Sequence, residues 1–98
     1  MKFDEFWSKL YTLDGITLET LSQKIKFKAT FDNKYGTVEI IPSTNNPRSI
    51  TREQFHKVWM ISKDVTNQFK TIHYSNITRN SSYIIAIMKY LLNGKKIE

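Results

Sequence analysis

The run Lys24-Ile25-Lys26-Phe27-Lys28-Ala29-Thr30-Phe31 alternates polar and apolar residues without a break. Side chains of an extended chain point to opposite faces in turn, so only a half-buried β-strand puts Ile25, Phe27, Ala29 and Phe31 together on one side. Asp32-Asn33-Lys34-Tyr35-Gly36 follows, and Asn and Gly accept the positive φ that a tight turn needs. Thr37 to Ile41 is rich in β-branched residues and is stopped by Pro42. The segment reads as an antiparallel β-hairpin, which needs other elements to cover its apolar face.

Helical periods supply that cover. Phe3, Phe6, Trp7, Leu10, Tyr11 and Leu13 recur at helical spacing, predicting a helix over 3–13 that ends before Asp14-Gly15. Residues 16–22 fit either a short helix or an extended lead-in. Ser43 to Ser49 is a polar loop, after which the period changes from two to 3.6. Thr51-Arg52-Glu53-Gln54 has the form of a capping box, with Ile50 and Phe55 placed as a hydrophobic staple. The helix it starts is predicted to run to about Lys63 with Phe55, Val58, Trp59 and either Met60 or Ile61 inward. A weaker helix plus turns is expected over 65–77. Asn80 or Ser81 caps a last helix, almost wholly apolar from Tyr83 to Leu92, which Asn93-Gly94 closes. The expected fold is α+β: an N-terminal helix, an antiparallel hairpin, then a two- or three-helix bundle of helix-turn-helix-like character. Residues 1–98 are expected to form one compact domain, since a chain of this length holds a single core.

Several functional classes fall away. The chain has no cysteine, which excludes disulfides and thiolate metal sites. His56 and His73 belong to no metal-ligand spacing, and the isolated glycines form neither a P-loop nor a dinucleotide fingerprint. Asp4-Glu5 sits in a first helical turn, where acids complement the dipole. The expectation is a non-enzyme with no cofactor and no metal. The longest apolar run, Tyr83 to Met88, is too short to span a bilayer, and the N-terminus has no apolar leader core. A cytoplasmic protein without membrane contact is expected.

Charge points to a polyanionic partner. The chain carries 15 Lys and Arg against 9 acids, a net +6, and all of that excess falls in residues 48–98. Two helix starts stand out within it. Thr78-Arg79-Asn80-Ser81-Ser82 combines free amides, hydroxyls and an arginine, a set that suits phosphate oxygens; its plainer explanation is a helix cap. At the second start, Arg48 and Arg52 can form an anion clamp, all the more because Arg52 in a first turn opposes the helix dipole. Lys57 and Lys63 would steer. The candidate nucleic-acid-binding residues are therefore Arg48, Arg52, Lys57, Lys63, Arg79, Asn80, Ser81 and Ser82. Lys24, Lys26 and Lys28 form a third basic face, read first as protection of an exposed strand edge and second as a phosphate track. Glu39 is expected to neutralise one of these lysines across the strands. Phe27, Phe31, Phe55, Trp59, Phe69, Tyr83 and Tyr90 fall on core periods, whereas the exposure of Trp7, Tyr35 and Tyr74 is open. Were Tyr35 and Tyr74 exposed beside lysines, single-stranded nucleic acid would gain as a ligand.

One resemblance covers residues 18–92. Leu18-Glu19-Thr20-Leu21, the strand with Phe27, Val38-Glu39-Ile40-Ile41-Pro42-Ser43-Thr44, Arg48-Ser49-Ile50, Asn80-Ser81-Ser82-Tyr83-Ile84 and the apolar last helix form a pattern. It resembles a small module of uncharacterised prokaryotic proteins that accompany restriction-type nucleases and other phage-defence genes. The resemblance implies association with DNA-handling systems but no known reaction, and no nuclease portion lies within these 98 residues. The expected function is a non-enzymatic nucleic-acid-binding module, with DNA preferred to RNA. The alternative is a protein-interaction factor in a bacterial defence or phage counter-defence complex, bound to a nucleic-acid-handling protein. The oligomeric state is open.

Overall fold

A computed structural model describes residues 1–21, 23–44, 46–62 and 80–92. The first helix, α1 (Phe3–Lys9), carries Asp4 and Glu5 in its first turn and Lys9 in its last, charges that complement both ends of its dipole. It tightens into a 3₁₀ turn at Leu10–Thr12. Phe6 and Trp7 are buried on one side of it, and Leu10 continues that side. Gly15, at φ +65°, turns the chain into the sheet.

Four antiparallel strands follow, each beside its neighbour in sequence: β1 (Ile16–Glu19), β2 (Lys26–Asp32), β3 (Thr37–Pro42) and β4 (Arg48–Ile50). The β2–β3 turn forms as its residues predict. Asp32 Oδ1 accepts from the Lys34 and Tyr35 amides at 2.8 and 3.3 Å, and Gly36 takes φ +64°. In register, Phe31 faces Val38, which faces Ile50, and Ala29 faces Ile40. These five residues and Phe27 are buried and make the inner face of the sheet.

Among the described residues two helices follow the sheet, α2 (Arg52–Ser62) and α3 (Ser81–Leu92). The Gln54 amide donates to Thr51 Oγ1 at 3.3 Å, the main bond of the expected capping box, and Ile50 and Phe55 on either side are fully buried. Phe55, Val58 and Trp59 point inward as expected, and Met60 is exposed. Rings weld α1 to α2: Phe6 lies 4.9 Å from Trp59 and 6.1 Å from Phe55, and Trp7 lies 5.6 Å from Phe55. Trp7 and Phe31 at 5.9 Å join α1 to the sheet, and Phe27 and Tyr83 at 5.0 Å join α3 to it. Five consecutive residues of α3, Ile84 to Met88, are buried, so that stretch of the helix is enclosed on every side.

The class is α+β, but the expected hairpin plus helical bundle of helix-turn-helix-like character is overturned. The described residues form an N-terminal helix, a four-stranded antiparallel sheet and then two helices. β1 falls where a short helix or an extended lead-in is expected and β4 at the end of the expected polar loop, since both are too short, at 4 and 3 residues, to establish a period. A recognition helix must offer a face to a groove, and α3 exposes only Lys89 and Tyr90. Tyr90, expected in the core, is 50% exposed; Trp7 is buried. Among the described residues no helix is long and apolar enough to cross a membrane. The expected helix over 65–77, Phe69, Tyr74 and the Asn93-Gly94 cap lie outside the described residues.

Candidate nucleic-acid interface

The arginines chosen from sequence hold the fold together. Arg52 Nη2 lies 2.7 Å from Asp4 Oδ1, and its guanidinium stands over the rings of Phe3 and Trp7 at 5.4 and 5.6 Å. A first-turn cation that opposes its own helix dipole is thus explained by an acid and two rings from α1. This pair is solvent-exposed, and exposed pairs contribute little, while each cation–π contact adds a similar amount. Arg52→Ala is expected to lower stability by about 1 kcal/mol in denaturant melts and to leave polyanion binding unchanged.

Arg48 is committed elsewhere. Its Nη1 donates to Asn80 Oδ1 at 3.1 Å, and its guanidinium carbon lies 5.2 Å from the centre of the Tyr83 ring. Asn80 Nδ2 in turn donates to Gln54 Oε1 at 2.7 Å. One half-buried asparagine therefore links β4, the first turn of α2 and the start of α3. Ser81 is 3% exposed and Ser82 half-buried. Lys57 pairs with Glu53 one helical turn earlier at 3.4 Å. Lys63 and Arg79 lie outside the described residues. The anion clamp of Arg48 and Arg52 does not form, since each side chain has its own partners.

Positive charge without an ion-pair partner also stands on the sheet. β2 is an interior strand, flanked by β1 and β3, so Lys26 and Lys28 guard no edge and that reading is overturned. Both are exposed, as is Lys24 just before the strand. Among the described residues, none of the three closes an ion pair. Glu19 stands opposite Lys26 in register without reaching it. Glu39, expected to neutralise a lysine, accepts from the hydroxyls of Thr37 and Ser49 at 2.9 and 2.6 Å. Lys28 lies between Thr17 and Ile41 in register, and Ile41 is 54% exposed. Thr17, Lys26, Lys28, Ile41, Pro42 and Ser43 line an open groove of about 360 Å³. Beyond it, at the tip of the β2–β3 hairpin, Tyr35 is 69% exposed with Lys34 Nζ 5.3 Å from its ring centre.

The outward lysines were visible in the alternation, but their importance was not, because it depends on β1 adding a strand outside them. Comparison with known proteins finds no match for this chain, whether among protein families, curated sequences or solved structures.

Proposed function

We propose that the protein is a non-enzymatic, cytoplasmic nucleic-acid-binding module that holds phosphates on the open face of its sheet. One observation carries this reading: Lys26 and Lys28 sit on an interior strand, facing solvent, with no acid closing on either. A cation held there for edge protection would belong on β1 or β4 instead. Two residues along a strand put the lysines about 6.6 Å apart, a spacing comparable to that of successive phosphates in an extended backbone. Such contacts act by displacing counterions, so the affinity is salt-dependent and largely indifferent to sequence. DNA is the polymer that the resemblance to defence-associated modules implies.

Fluorescence anisotropy with labelled oligonucleotides tests the reading. Two neutralised phosphates weaken binding about tenfold between roughly 50 and 200 mM salt. Lys26→Glu with Lys28→Glu is expected to remove the affinity and its salt dependence together. No binding at low salt, or wild-type binding by the double variant, would falsify the proposal.

A second reading is favoured by Tyr11 and Tyr90, 57% and 50% exposed, since tyrosine is enriched at binding hot spots. Lys9, Thr12, Tyr90 and Leu91 line a separate open groove at the C-terminal ends of α1 and α3. A nucleic-acid-handling protein of a defence system would dock there, and its complex would survive nuclease and be lost on Tyr11→Ala with Tyr90→Ala.

A further inference from the structure

We infer that the polymer held on the sheet is single-stranded, with one base stacked on Tyr35 and its backbone following Lys28 and Lys26. The inference rests on the function proposed above and narrows its ligand.

Three observations carry it. The first is the state of Tyr35. A tyrosine that packs no core and stands 69% exposed is large apolar area left in water, in the turn that follows the strand carrying Lys26 and Lys28. The Lys34 ammonium lies over its ring, which polarises the ring and leaves the opposite side for a base. The second is Ile41, 54% exposed next to Lys28. An apolar side chain beside a cation suits a ligand that alternates charge with flat apolar surface, as an unpaired strand does. A duplex hides its bases and would offer this groove phosphates alone. The third is reach. From Lys26 to Asp32 is about 20 Å at the rise of a strand, and the turn extends beyond it. That length matches a segment of about four nucleotides, the lower end of single-strand site sizes.

Base stacking on an aromatic residue tolerates any base, so the expected ligand is single strand of mixed sequence with little preference. Glu19 and Glu39 on the same face keep the attraction moderate, so affinity is expected to depend on stacking as well as on charge.

The experiment compares an oligo-dT of about twelve nucleotides, a duplex of equal length and an abasic strand of equal length, each labelled for anisotropy at low salt. Wild type is expected to bind oligo-dT more tightly than either of the others. Tyr35→Ala is expected to weaken oligo-dT binding about fivefold or more and leave the abasic strand unaffected, while Tyr35→Trp retains binding. Equal affinity for duplex or abasic strand, or an unchanged Tyr35→Ala, overturns the inference. If those results come with full loss on Lys26→Glu with Lys28→Glu, nucleic-acid binding by the sheet stands and only the single-strand inference falls. If no polymer binds, both fall.

Discussion

Trp59→Ala is expected to lower the free energy of unfolding by about 3–5 kcal/mol, close to the whole stability of many domains this size. Trp59 is fully buried where α1 meets α2, with Phe6 at 4.9 Å and Phe3 at 5.6 Å. Removing the indole leaves a cavity against two helices that touch mainly through such rings, so little can collapse into it. The indole also carries a cost. Its buried Nε1 has no hydrogen-bond partner among the described residues, and an unmet buried donor costs about 1–3 kcal/mol. Trp59→Phe removes that donor together with part of the volume, and its loss is expected to stay below about 2 kcal/mol. Urea melts of the two variants check both statements. An alanine variant within about 1 kcal/mol of wild type would mean that Trp59 is not the joint between the helices.

The second large effect is at Asn80. Asn80→Ala removes the acceptor of Arg48 and the donor to Gln54 at once, and the Asn80 carbonyl already receives the Tyr83 and Ile84 amides at the start of α3. Hydrogen bonds to charged groups are worth about 1.5–3 kcal/mol, and the neutral bond to Gln54 about 0.5–1.5. A combined loss of about 2–3 kcal/mol is expected. Asn80→Asp keeps the acceptor for Arg48 and is expected to cost less. Arg48→Ala and Asn80→Ala in one chain should fall short of additive by about 1 kcal/mol, because both cut the same bond. None of these variants is expected to weaken oligonucleotide binding. Loss of binding with an unchanged melt would return Arg48 and Asn80 to the interface.

Local patterns carried the elements whose periods are long enough to be seen. Phe27, Ala29 and Phe31 turn inward as their alternation requires, Thr51 caps α2, and Ser81 opens α3. The edge strands escaped because Ile16 to Glu19 and Arg48 to Ile50 are stabilised by neighbours that no local window contains. The same blindness misplaced the site. Arg48 and Arg52 looked like ligands for an anion because each stands near a helix start, yet Asn80 lies 32 positions from one and Asp4 lies 48 positions from the other. Partners that distant leave no trace in spacing. The lysines of β2 were legible as a face, and only the topology showed that they do not lie on an edge.

The enclosed position of α3 also bears on how the chain folds as it is synthesised. β1 to β4 pair only with sequence neighbours, so the meander can zip from local contacts while the ribosome is still translating. Its inner face, including Phe27, Phe31, Val38 and Ile40, then waits for α3, the last of the described core segments to emerge. At about 5–20 residues per second, the 30 or so positions between Ile50 and α3 leave that apolar surface bare for seconds. A stalled or truncated product ending before Ser81 would lack the helix that packs on Phe27, and would be a natural substrate for chaperones and proteases.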